Sequence, residues 1–385
     1  MRKNICVFTG SRAEYGLLLP LLKLLKKSKQ YRLQLLVSGM HFSAEHGSTY
    51  QFIEDDGFVI DEKVEMLLAA DSDAAIIKSV GLGMIGYADS LEKLRPSAAV
   101  VLGDRFEAFA FATAAYLSGI PLIHLHGGEI TEAASDDSLR HAITKMAFYH
   151  FTSTAAYRKR VIQLGEAPAR VFNTGAIGLD NIKNLKLLSR KELYSDLGLK
   201  AQDNFILVTY HPVTLAKKDS NSQFQFLLKA LEKVKDYKVI FTMPNADAAN
   251  RSISESIKKY VLQNPDSSAW FTSLGQLRYL SAMKHCSLVL GNSSSGIIEA
   301  PSFGVPTVNI GNRQKGRVFV KSIIQAGNTL QGTEAAIKKA LSPSFQSATK
   351  KVKSPYGNGD TAQKIMKILD NIQIPNSVIK KFYDL

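Results

Sequence analysis

Cysteine is scarce in this sequence. Its 385 residues hold two, Cys6 and Cys286, far apart and each inside an apolar run. That excludes a disulfide-stapled scaffold. With no CxxC pair or cysteine–histidine cluster it also speaks against structural zinc. Two buried, reduced thiols fit a cytoplasmic protein. Long hydrophobic runs are missing as well. The longest, around residues 108–123, is broken by Ser118-Gly119-Ile120-Pro121, so no membrane span is expected. The N-terminus, MRKNICVFTG, has too short an apolar core for a secretory signal. No GxGxxG follows the first strand pattern, and a nicotinamide dinucleotide is therefore not supported. Acidic residues are outnumbered, 34 Asp and Glu against 48 Lys and Arg, for a net charge of +14. The lysines are spread along the chain without an aromatic-interleaved basic stripe, so no nucleic-acid partner is expected. A basic background suits attraction of a diphosphate instead.

What is present is an ordinary globular composition, 45% hydrophobic and 21% charged, at a length that accommodates two domains. Short apolar runs alternate with helical patterns. Strands are predicted at 4–8, 32–38, 98–102, 121–125 and 147–151, with an extended segment near 59–66. Helices are predicted at 17–25, 74–94, 107–117, 136–146 and 155–164. A lysine-rich stretch at 181–203 carries no strong strand and reads as the hinge. A second alternation follows, with strands at 204–210, 237–243, 269–272, 286–290 and, last, 304–310. Its helices are predicted at 224–234, 251–262, 276–283, 333–341 and 361–372, and the tail to Leu385 is expected to be helical in part. This pattern predicts an α/β chain with two Rossmann-like, doubly wound domains facing a central cleft. The expected boundaries are 1–185, 186–360 and a C-terminal tail at 361–385 that packs back on the first domain.

In open parallel sheets, ligands gather beyond the carboxyl ends of strands. Residues 97–146 deliver an unusual density of chemistry there. One apolar run stops at Gly103-Asp104-Arg105. The next stops at His124-Leu125-His126-Gly127-Gly128-Glu129, with Asp136, Asp137, Arg140 and His141 following. Asp104, Glu129 and Asp136 are the candidate acid–base groups, and Arg105 and Arg140 are their natural partners. Proton removal on one face of a ring and delivery on the other needs two such groups. His41 lies just past another strand end, and Arg12 follows a glycine turn fit to hold an anion.

In the second half, Gly291-Asn292-Ser293-Ser294-Ser295-Gly296 is the best phosphate-binding candidate. Its backbone N–H groups, hydroxyls and following helix would all favour an anion. Glu299 could accept two hydrogen bonds from a ribose diol, and Arg313 or Arg317 could meet a diphosphate. His211 and Asn245 stand at two further strand ends.

The motifs GSRAEYG at 10–16, SGMHF at 38–42, GDRFEAFA at 103–110, HLHGGEITEAASDDSLRHAITKMA at 124–147, RVIQLGE at 160–166, YHPVT at 210–214, PNAD at 244–247 and GNSSSGIIEAPSFGVPTVNIGNRQKGR at 291–317 together resemble the hydrolysing UDP-N-acetylglucosamine 2-epimerases. The bacterial enzyme of sialic acid synthesis is the closest match. The resemblance implies a GT-B-type fold and conversion of UDP-N-acetylglucosamine and water to N-acetylmannosamine and UDP. The route it implies is elimination to 2-acetamidoglucal followed by rehydration. It implies no cofactor and no metal, a cytoplasmic location, and a homodimer or homotetramer.

By position, Asp104 and Asp136 match acidic catalytic residues, and His41 and His211 match active-site histidines. Arg12, Asn245, Ser293, Ser294, Glu299 and Arg313 match nucleotide contacts, and Arg105 joins the substrate side. His126 stands where other members carry Glu, which leaves His126, Glu129 or neither for that proton transfer. The alternative substrate is UDP-2,4-diacetamido-2,4,6-trideoxyglucose, for legionaminic acid. Alternatives of another class are a GT-B glycosyltransferase or a nucleotide-sugar binding protein.

Overall fold

The computed structural model describes residues 2–43, 47–68, 72–131, 136–211, 217–243 and 250–385. Two compact units emerge. The first comprises Met1–Glu129, Asp136–Asn181 and Tyr356–Leu385, and the second is built on Ile182–Pro355.

The strands of the first unit are β1 (Lys3–Thr9), β2 (Tyr31–Ser38), β3 (Glu62–Val64), β4 (Ala98–Leu102), β5 (Leu122–Leu125), β6 (Tyr149–Thr152) and β7 (Val171–Asn173). They pair in parallel in the order β3-β2-β1-β4-β5-β6-β7. The second unit holds β8 (Phe205–Thr209), β9 (Lys238–Thr242), β10 (Ser268–Phe271), β11 (Leu288–Gly291), β12 (Thr307–Asn309) and β13 (Ile323–Gln325), in the order β10-β9-β8-β11-β12-β13. Both orders reverse once, between β1 and β4 and between β8 and β11, and ligand crevices form at such reversals.

Side chains on a strand alternate between faces, and helices cover both faces here. Ile5, Val7, Ala98, Val100 and Leu102 enter one core, while Cys6, Phe8, Ala99 and Val101 enter another on the opposite face. Ile206 and Val208, against Phe205 and Leu207, divide in the same way in the second unit. That two-sided burial is why the strands read as unbroken apolar runs.

Several elements depart from the sequence expectation. The hinge stretch contains a helix, Arg190–Leu197, closed by a capping box. Ser189 Oγ accepts the Glu192 N–H at 3.3 Å and the Glu192 carboxylate accepts the Ser189 N–H at 2.8 Å. Leu193, Tyr194 and Leu197 bury it against the second unit's core. A short helix, Tyr50–Asp55, precedes β3. The strand at 304–310 is not the last, because β13 adds to β12.

The final helix runs Thr361–Leu369, and no helix follows it. Its first amides, of Thr361 and Ala362, donate to the Asp180 carboxylate at 2.8 and 2.7 Å. The Tyr31 hydroxyl donates to the carbonyl of its last residue, Leu369, at 2.7 Å. These contacts hold the C-terminal segment to the first unit.

Candidate active site

In the first unit, the ends of β1, β2, β4 and β5 carry the candidate groups. Asp104 follows β4 and accepts a hydrogen bond from Arg140 Nη2. Arg140 is 2% exposed. It is reached from helix Asp136–Met146, and its Nη1 also donates to the Glu129 carbonyl at 2.8 Å and to Asp137 Oδ1 at 3.3 Å. A buried guanidinium is tolerable only with such partners. Asp136 opens that helix, partly exposed. Arg105 meets a carboxylate that was not among the candidate acids. It forks onto Glu107, Nε to Oε2 at 3.2 Å and Nη2 to Oε1 at 3.3 Å, and Glu107 is itself buried.

Past β5, His126 adopts a left-handed backbone (φ 66°), a conformation costly for a residue with a Cβ. The strain has a local purpose. His126 Nε2 accepts the Ile177 N–H at 3.2 Å, which leaves Nδ1 as the protonated nitrogen, and Nδ1 faces Glu129 Oε1 at 3.2 Å. Glu129 Oε1 also accepts the Ser153 hydroxyl at 2.7 Å. The two residues left open by the sequence thus lie side by side, 3.2 Å apart.

His124, one turn of strand back, is buried. Its ring contacts the Gly103 carbonyl at 2.8 Å and Thr144 Oγ1 at 3.1 Å, and burial pushes its pKa down to about 3. His141 borders Asp137 at 3.6 Å, and burial lowers its pKa too.

His41, after β2, is fully buried. Its Nε2 meets Thr9 Oγ1 at 3.1 Å and its Nδ1 meets Thr49 Oγ1 at 2.9 Å. Burial pushes its pKa down to about 4. Arg12 begins helix Arg12–Lys27, and its guanidinium lies 4.3 Å from the Phe52 ring centroid.

In the second unit, β8 and β11 end side by side. Asn292 locks the two ends together, its Oδ1 accepting the His211 N–H and its Nδ2 donating to the His211 carbonyl, both at 2.7 Å. The Asn292 carbonyl accepts Arg313 Nη1 at 3.1 Å and Gln314 Nε2 at 2.8 Å, so the basic loop folds back onto the serine turn. Ser295 Oγ contacts Ser293 Oγ at 2.9 Å and Tyr279 Oη at 2.6 Å. The helix after this turn is a single turn, Ser295–Ile298, preceded by Ser294 and followed by Glu299. The anticipated helix-dipole contribution is correspondingly small, which leaves hydroxyls and backbone amides as the groups this turn could offer an anion. Asn245 lies outside the described residues.

A family profile described as UDP-N-acetylglucosamine 2-epimerase matches residues 23–370. The chain belongs to that family. It is an enzyme, a hydrolysing UDP-sugar 2-epimerase. A GDP/UDP-N,N'-diacetylbacillosamine 2-epimerase (hydrolyzing) of Campylobacter jejuni is 40% identical, with 100% of each chain covered. Polysialic acid biosynthesis protein P7 of Escherichia coli is 37% identical over 100% of this chain and 98% of its own. Among solved structures, the Neisseria meningitidis UDP-GlcNAc 2-epimerase bound to UDP-GlcNAc matches with a TM-score of 0.83. The two are 17% identical, over 96% of this chain and 100% of that one. With the two parallel-sheet domains, this likeness establishes the GT-B-type fold. No described helix of the epimerase is long and apolar enough to cross a membrane.

Glu14, Glu107, Ser153 and Asn292 were not singled out from the sequence. Asn292 lay inside the serine turn, where the hydroxyls drew the attention. Ser153 and Glu129 are 24 residues apart, and only the pairing of β5 with β6 brings them together.

Proposed function

We propose that this epimerase takes a UDP-linked 2-acetamido sugar and releases UDP and the 2-epimeric free sugar. The C2–H bond breaks and its electron pair forms the C1–C2 double bond. The C1–O bond to UDP breaks, its pair leaving with UDP. Water then adds its oxygen to C1 while C2 takes a proton on the opposite face. The observation that carries this reading is that two separate sets of acid–base side chains follow neighbouring strands, as proton transfer on two faces would need: Asp104 after β4, and the His126–Glu129 pair after β5.

Asp104 and Asp136 are assigned to proton transfer on one side of the sugar and His126–Glu129 to the other. His41, with both nitrogens on threonine hydroxyls, orients Thr9 and the turn after β1. Arg12 and Arg105 bind the substrate's anionic part. His211, Ser293, Ser294, Glu299 and Arg313 bind UDP, with Asn245 included by its motif alone. Action in the cytoplasm by a dimer or tetramer belongs to the same reading.

UDP-N,N'-diacetylbacillosamine is the favoured substrate, supported by relatives of that name at 40% and 33% identity over essentially the whole chain. UDP-N-acetylglucosamine, in sialic acid synthesis, is the second reading. It is supported by the 37% identical polysialic acid protein and a 30% identical UDP-N-acetylglucosamine 2-epimerase of Neisseria meningitidis. Incubating the enzyme with each UDP-sugar in heavy water decides between them. The true substrate yields UDP and a product bearing one deuterium at C2. Unlabelled product would sink the elimination route. An intact sugar nucleotide would leave a binding protein, and turnover only with an added acceptor would point to a glycosyltransferase.

A further inference from the structure

Beneath the turn after β1, two carboxyl groups are packed into one small space. A methyl group on Gly10 would stand 3.2 Å from Glu107 Cβ and 3.3 Å from Glu14 Oε2. One on Gly39, after β2, would stand 3.1 Å from Glu107 Cγ and 2.8 Å from the Gly10 carbonyl oxygen. Glu14 and Glu107 are both buried. Gly39, at φ +60° with the Gly10 carbonyl oxygen so near, has no room for a Cβ, and one on Gly10 would crowd both side chains, so the turns after β1 and β2 close down on the pair. Glu107 answers its charge with the two-point fork from Arg105, while the Glu14 carboxyl accepts the Gly10 N–H at 2.7 Å.

Two buried carboxylates so close cannot both be ionised cheaply. Burial first, and then Glu107, push the Glu14 pKa up to about 8. The groups facing Glu14 are Glu107, Arg105 and Asp104, and the Tyr87 phenol on helix Asp73–Leu94 senses both glutamates.

We propose that Glu14 and Glu107 are a positioning pair for substrate binding, in which the two-point fork from the buried Glu107 fixes the Arg105 guanidinium plane at the end of β4 and Glu14 is packed beside it. This rests on the assignment of Arg105 to the substrate's anionic part. A two-point fork restrains orientation as well as charge, which a single contact to a solvated carboxylate does not. When Glu14 ionises, Arg105 is drawn between two carboxylates and its plane is no longer held for the ligand.

The test compares wild type, Glu107→Gln, Glu107→Asp and Glu14→Gln. For each, steady-state kinetics with the accepted UDP-sugar are taken from pH 6 to 9.5, and UDP affinity is measured by calorimetry. Glu107→Gln should raise KM and the UDP Kd about tenfold or more with a smaller change in kcat, the pattern of lost uniform binding. Glu107→Asp, which keeps the charge, should recover part of that loss. A wild-type fall in kcat/KM above about pH 8 should move upward by a unit or more in Glu14→Gln, whose side chain cannot ionise.

If Glu107→Gln folds as judged by circular dichroism but binds and turns over like wild type, the pair does not position Arg105. The same holds if the alkaline limb of Glu14→Gln coincides with that of wild type. A wild type that neither binds UDP nor consumes a UDP-sugar would instead overturn the functional reading, and this inference with it.

Discussion

Arg140 supports Asp104 from beneath, donating to its carboxylate from a site almost closed to solvent while also holding Asp137 and the Glu129 carbonyl. One arginine thereby ties the end of β4 to the end of β5 and the start of the following helix. Removing it leaves buried acceptors unmatched. Arg140→Ala is expected to lower stability by about 3–5 kcal/mol, the cost of breaking a buried ion pair from one side, as read by urea unfolding. Asp104→Asn should act differently. It keeps the shape but loses the carboxylate, and turnover should fall by about 10²–10⁴ while UDP binding by calorimetry is retained. Full activity in Asp104→Asn would remove it from proton transfer.

His126 allows strain and chemistry to be separated. Its left-handed backbone favours glycine, and its ring links the Ile177 N–H to Glu129. His126→Gly and His126→Ala lose the same ring, but only alanine bears the steric cost, about 1–2 kcal/mol. The glycine variant should therefore be the more stable of the two in thermal unfolding, and both should lose turnover alike. A His126→Gly enzyme that turns over normally would pass the proton-transfer role to Glu129 alone.

The strands and their ends were legible because parallel strands buried on both faces read as short apolar runs, and glycine turns mark where they stop. Asp104, His126, Glu129 and the serine turn were visible for that reason. The partners were not. Arg105 precedes Glu107 by two residues, and nothing in the sequence says that it forks there. His126 gives no local sign that its backbone is left-handed. Helix Arg190–Leu197 was missed although the capping-box pair Ser189 and Glu192 is plain in the sequence. Lysine-rich surroundings hid it. β13, three residues long at a sheet edge, carries too little apolar signal to stand out.

Gly291 tests the second unit. Its φ of 138° is one that only glycine adopts readily, and a Cβ there would stand 2.0 Å from the Thr209 carbonyl oxygen. Gly291→Ala must therefore push β11 away from β8 and pull Asn292 off the His211 backbone. We expect a loss of stability of more than about 1–3 kcal/mol, and a UDP affinity weakened at least tenfold in whatever protein still folds. An alanine variant with native UDP affinity would show that the Asn292–His211 lock does not shape the nucleotide site.

The C-terminal segment offers a prediction with a sign in pH. Glu166 is fully buried and accepts from Lys380 at 2.6 Å and Lys145 at 2.9 Å, with His150 Nε2 at 3.1 Å. Although burial raises its pKa, hydrogen bonds from His150, Lys380 and Lys145 outweigh that and hold it down at about 2. A carboxyl whose pKa is lower folded than unfolded stabilises the fold above its unfolded value. That stabilisation is lost as pH falls from about 4.5 toward 2.

Lys380 also donates to the Ala147 carbonyl at 2.5 Å, and the Tyr383 N–H donates to the Gly165 carbonyl at 2.9 Å. Lys380→Met should destabilise by about 1.5–3 kcal/mol, the range for a hydrogen bond to a charged group, because Lys145 and His150 still serve Glu166. The difference from wild type should be constant between pH 5 and 7, where Lys380, its pKa lowered to about 8 by burial, keeps its charge, and should shrink as Glu166 protonates in both proteins. Urea unfolding of the two proteins from pH 3 to 7 measures it. A difference that stays level to pH 3 would mean that Lys380 stabilises the tail through the Ala147 carbonyl alone and not through the buried carboxylate.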